Sequence, residues 1–117
     1  MFARRSLLAA CAVPVFARGA SAHSRLLESR PRAGETLASD PGEFVLRFDE
    51  GAVLTSLRLF GPAGAEVTLT RARDATPAAV WRARHPALTP GAHRLDWRAL
   101  SADGHPIGGS ITFTVRG

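Results

Sequence analysis

From Arg25 to the C-terminus, apolar residues fall on alternate positions in short runs, and turn signals interrupt the runs about every ten residues. The clearest runs are Phe44 to Phe48, Leu57 to Leu59, Val67 to Leu69, Leu95 to Ala99 and Ile111 to Val115, with weaker ones at Arg25 to Ser29 and Ala79 to Ala83. A period of two places alternate side chains on one face of a strand. No stretch sustains the apolar spacing of an amphipathic helix. The punctuation is specific as well: Asp40-Pro41-Gly42, Gly61-Pro62-Ala63-Gly64, Thr89-Pro90-Gly91 and Ala102-Asp103-Gly104 combine residues that preset or permit turn dihedrals. The pattern predicts an all-β sandwich or barrel of about seven strands, of immunoglobulin-like size. Its inner face would be Phe44, Leu46, Phe48, Leu57, Leu59, Leu95, Trp97, Ile111, Phe113 and Val115.

The strands begin only after a segment of different character. Arg4 and Arg5, then the apolar stretch from Ser6 to Ala17, then Ala20-Ser21-Ala22 read as the charged, hydrophobic and cleavage regions of a secretory signal. Residues 1–22 are therefore expected to be removed after Ala22, leaving one domain, 23–117. The apolar stretch is too short to span a bilayer, for which about 20 residues are needed. Leu8-Ala9-Ala10-Cys11 looks like a lipoprotein processing box, but leaves too few apolar residues ahead of the cysteine. The paired arginines loosely resemble a twin-arginine signal, so the export route stays open between the two pathways.

Cleavage changes what the charge means. The full chain has 15 basic residues, all arginine, against 10 acidic ones, a net charge of +5. Arg4, Arg5 and Arg18 leave with the signal, so the 95 residues from His23 onward carry 12 against 10. The clustered excess expected of a nucleic-acid binder is missing. Cys11, the single cysteine, also leaves, which excludes a disulfide framework and a thiolate metal site in the mature domain.

The same cleavage makes His23 the first residue. Its α-amine and imidazole can then chelate one ion, and a strongly binding ion such as Cu(II) can displace the amine proton near neutral pH. The plain alternative is that cleavage must expose some residue and exposes this one. A second candidate lies in Ser101-Ala102-Asp103-Gly104-His105-Pro106, where Asp103 and His105 flank a turn glycine and can face one side. Here the alternative is an aspartate that caps its own turn. Together the three residues offer a nitrogen and oxygen set suited to tetragonal Cu(II).

The two features occur within a longer pattern. His23, Ser29-Arg30-Pro31-Arg32-Ala33-Gly34 with Leu37, Pro41, the Phe44 to Phe48 strand leading into Asp49-Glu50, Leu88-Thr89-Pro90-Gly91, Asp96-Trp97-Arg98-Ala99-Leu100-Ser101-Ala102-Asp103-Gly104-His105-Pro106-Ile107 with Gly109, and Phe113-Thr114-Val115 together resemble the CopC family of periplasmic copper-binding proteins. The resemblance implies a cupredoxin-like or immunoglobulin-like Greek-key barrel, one Cu(II) ion held by His23, Asp103 and His105, and Glu50 steadying the N-terminus. It implies a periplasmic protein that buffers or carries copper, acting with an inner-membrane protein of the CopD type. Some members add a methionine-rich Cu(I) site. Met1 is the only methionine here, so the chain resembles the branch with a single Cu(II) site.

No enzymatic activity, nucleic-acid partner or stable membrane insertion is expected, and a monomer is. Two other readings compete. An N-terminal histidine also resembles the copper brace of lytic polysaccharide monooxygenases, although a carboxylate ligand favours Cu(II) over the Cu(I) that oxygen chemistry requires. A metal-free immunoglobulin-like adhesion module would leave the pairing of His23 with Asp103 and His105 unexplained. His93 shares strand parity with Leu95 and Trp97 and reads as a packing or rim residue; His85, before Pro86, reads as a loop residue.

Overall fold

The computed structural model describes residues 24–117, so the segment read as a signal and His23 lie outside the described residues. Seven strands follow in order: β1 (Leu26–Arg30), β2 (Thr36–Leu37), β3 (Gly42–Phe60), β4 (Glu66–Val67), β5 (Ala78–His85), β6 (Gly91–Leu100) and β7 (Pro106–Val115). A 3-10 turn at Pro62–Gly64 links β3 to β4. All-β architecture is thus as the alternation predicts. Among the described residues no helix is long and apolar enough to cross a membrane.

β3 organises the two layers. Its first half pairs antiparallel with β1 and β5, and its second half with β6 and β4. β6 continues into β7, and β2 joins the far edge of β7 in parallel. The two runs read from sequence as separate strands, Phe44 to Phe48 and Leu57 to Leu59, are therefore one 19-residue strand. Irregularities between Arg47 and Ala52 and between Leu54 and Ser56 bend it from one layer into the other, as bulges do.

Apolar side chains from both layers meet between them. Phe44, Leu46, Phe48, Leu59, Leu95, Trp97, Ile111, Phe113 and Val115 are buried as the alternation predicts, whereas Leu57 is only half-buried against the cluster. Phe48 meets Trp97 edge-on at 5.5 Å and Phe44 meets Phe113 at 5.7 Å, a geometry that adds about 0.5–1.5 kcal/mol beyond burial. Ala52, Leu54, Trp81, Leu88 and Ala99 complete the core. Trp81 spends its indole N–H on the carbonyls of Ala52 and Ala78, at 2.9 and 3.1 Å, and so ties β5 to the bend in β3.

Candidate metal centre

Leu100 and Pro106 are the last paired residues of the β6–β7 hairpin, and the five residues between them form a closed turn. Gly104 N–H donates to Ser101 O at 2.8 Å, and Ser101 N–H donates to His105 O at 2.8 Å. Gly104 has φ +87°, in the left-handed region that glycine occupies without a Cβ clash. Asp103 and His105 thereby stand on either side of the tip.

The buried Ser101 fixes the carboxylate. Its hydroxyl donates to Asp103 Oδ1, which also accepts the His105 N–H at 3.3 Å. Asp103 Oδ2 lies 2.9 Å from His105 Nδ1. The Ser101 hydroxyl bond, followed by bonds from His105, holds the Asp103 carboxyl well below the ordinary range against an opposing desolvation effect. Asp103 is therefore an anion at neutral pH. A carboxylate on Nδ1 favours the tautomer that carries its proton there, the orientation seen in metal-ligating histidines. The His105 side chain is 66% exposed and Asp103's 24%, so the imidazole is the more accessible group.

The first described residues come to the same turn. Ser24, 2% exposed, donates its hydroxyl to Gly51 O at 3.0 Å and accepts the Ala102 N–H at 2.9 Å. Next to it, Arg25 N–H donates to Asp49 Oδ1 at 2.6 Å, and its Nε lies 3.3 Å from Oδ2. Asp49 N–H returns a bond to Arg25 O at 2.9 Å. The Arg25 backbone bond is the main reason that the Asp49 carboxyl sits below its usual range.

Asp103 and His105 are thus brought together as the sequence suggests. Among the described residues no set of three or more His, Cys, Asp or Glu converges as for a metal ion, and His23, the third candidate, lies outside them. Glu50 is exposed beside Asp49 on β3. The carboxylate that fastens the N-terminal segment among the described residues is that of Asp49. Sequence reasoning assigned no role to Ser24 or Asp49, because their bonds join residues distant in the chain.

The other two histidines are structural. His85 is not in a loop: it closes β5, is buried, stacks on Phe44 at 4.4 Å and pairs Nδ1 with Pro86 O at 2.8 Å. His93 is buried against Phe113 at 5.4 Å, with Nδ1 3.1 Å from Gly91 O, in agreement with a packing role.

Comparison with known proteins gives one answer. The CopC domain matches residues 26–116. Copper resistance protein C of Pseudomonas syringae pv. tomato is 35% identical over 89% of this chain and 94% of its own length. Copper resistance protein C of Escherichia coli is 36% identical over 83% and 84%. Among solved structures, CopC from Methylosinus trichosporium OB3b superposes with a TM-score of 0.69 at 28% identity, over 80% of this chain and 94% of that one. PcoC, a methionine-rich copper resistance protein from Escherichia coli, does so with a TM-score of 0.65 at 34% identity, over 81% and 100%. These relatives are named as copper resistance proteins, which favours a copper-related role over the adhesion reading. With a domain match across all seven strands and relatives above 30% identity, the chain belongs to the CopC family.

Proposed function

We propose that the mature chain, cleaved after Ala22, is a periplasmic, monomeric carrier or buffer that holds one Cu(II) ion as cargo through the amine and imidazole of His23, Asp103 and the Nε2 of His105. The observation that carries this reading is the attachment of Ser24 to Ala102: the chain leaves the described residues directly beside the turn that presents the other two donors. The donor chemistry agrees. An anionic carboxylate, an imidazole with its proton favoured on Nδ1, and an amine form a hard-to-borderline set that favours Cu(II). PcoC is described as methionine rich, whereas this chain has a single methionine, Met1, ahead of the cleavage point. A thioether Cu(I) site is accordingly not part of the proposal. The family resemblance supports delivery to a CopD-type inner-membrane protein.

Cu(II) titration of two forms of the protein tests the site. The form beginning at His23 binds one ion tightly. The form with a single alanine ahead of it binds at least a hundredfold more weakly, because the chelating amine becomes an amide. Equal affinities would overturn the assignment of His23.

A further inference from the structure

β5 is one edge of the layer formed by β1, β3 and β5. On its inner side it pairs with β3 from Gly42↔His85 to Arg47↔Val80. On its outer side it is held at one point, where Thr70 and Arg84 exchange N–H to O bonds of 3.0 and 2.8 Å. In an antiparallel ladder alternate residues direct both backbone groups to the same side. Arg82 and Val80 therefore aim their N–H and C=O as Arg84 does, away from β3. No strand among the described residues pairs with them there.

Among the described residues, the excursion from Arg71 to Pro77 makes no further bridge to this edge. Two hollows of about 350 and 310 Å³ lie between the excursion and the strand, adjoining at Ala72 and Arg82. Val80, 39% exposed, forms an apolar spot along them.

Arg71, Arg82 and Arg84 line these hollows, together with Glu43 and Asp74. Residues 70–84 hold four arginines, Arg71, Arg73, Arg82 and Arg84, and one acid, Asp74. Without them, the remainder of the chain from His23 would carry eight arginines against nine carboxylates. Arg82 has an exposed partner in Glu43 at 3.2 Å, a contact worth little in water. Desolvation, followed by the charge of Arg73, lowers the pKa of the Arg71 guanidinium. The positive charge of the mature protein is thus concentrated beside an open strand edge.

We propose that the outer edge of β5 docks an extended, carboxylate-rich segment of a partner protein, which adds to the sheet as a strand. Its backbone takes the N–H and C=O of Val80 and Arg82, and its carboxylates face Arg71 and Arg84. Strand addition derives affinity from main-chain bonds and specificity from alternate side chains. A peptide fits better than a charged bilayer surface because the edge presents donors and acceptors in alternation, whereas anionic headgroups match only the donors. The edge lies on a different strand from the β6–β7 turn, so docking leaves Asp103 and His105 accessible.

The test uses the mature chain and a short peptide alternating Glu and Thr, with a Lys and Thr peptide as control. The acidic peptide shifts the amide resonances of Val80 and Arg82, slows their hydrogen exchange, and binds more weakly as salt is raised. Arg71→Glu with Arg84→Glu reduces binding by at least tenfold. Val80→Pro removes one outward N–H while leaving the bonds to β3, a change that edge strands tolerate; it keeps the circular dichroism spectrum and loses the peptide. Two results overturn the proposal: acidic-peptide binding with Val80 and Arg82 amides still exchanging freely, or binding of phosphatidylglycerol vesicles that the peptide does not displace.

Discussion

Ser24 joins parts of the chain 78 positions apart through one hydroxyl, donating to the bend of β3 and accepting from the turn that carries Asp103 and His105. A hydrogen bond of this kind contributes about 1 kcal/mol net. If its role is to hold the N-terminus against the turn, that energy goes into Cu(II) affinity. Ser24→Ala should then weaken Cu(II) binding roughly fivefold, since about 1.4 kcal/mol corresponds to tenfold, while stoichiometry stays at one ion. A competition titration measures it, and an unchanged affinity would mean that the turn and N-terminus hold position without the clasp. Asp103 and His105 were readable from sequence because both lie within one five-residue turn. Ser24 and Asp49 were not, since nothing local in Ser24-Arg25 announces a partner on β3 or β6–β7. His85 was misread because the Pro86 that follows it suggested a loop. The residue before a proline favours extended backbone, and here that extension is the final residue of β5.

Elements were easier to foresee than their continuity. The alternation located β1, β5, β6 and β7, yet divided β3 in two, because its inward parity runs through Phe44, Leu46, Phe48, Ala52 and Leu54 and then changes to Leu59. Side chains alternate strictly only while the register holds, and the irregularity between Leu54 and Ser56 breaks it. β2 escaped notice because two residues are too few to display a period. Close approach also governs the hairpin that carries the candidate centre. A Cβ built on Gly108 would lie 2.8 Å from the Trp97 backbone oxygen, and one on Gly109 would lie 3.0 Å from the Trp97 ring. A side chain on Gly108 would therefore force β7 away from β6, whereas one on Gly109 would press on the Trp97 ring. Gly108→Ala should lower stability by about 1–3 kcal/mol, the usual cost of overpacking. Urea unfolding of the apo protein reads this directly, and a midpoint equal to wild type would show that the hairpin can open without cost.

At the scale of the whole molecule, the core and the candidate centre are separate. The buried cluster fills the space between the layers, whereas Asp103 and His105 stand on an exposed turn at the end of one hairpin. On the proposed site copper would be cargo on a finished fold: apo protein should unfold cooperatively, and Cu(II) at a hundred times its Kd should add about 2.7 kcal/mol by mass action. Acid separates the two further. The depressed carboxyls of Asp49, Glu66, Asp74, Asp96 and Asp103 have lower pKa values folded than unfolded. Their contribution is present above the ordinary carboxylate range and is lost only as pH falls through that range toward their folded values. Amines and imidazoles take up protons at higher pH than carboxylates do, and each bound proton competes with the ion. Lowering the pH from 7 toward 5 should therefore release copper from a protein that remains folded. Parallel titrations following the Cu(II) absorption band and the far-ultraviolet circular dichroism should give two separate transitions, copper loss at the higher pH. A single coincident transition would mean that the ion, and not the sandwich core, holds the fold together.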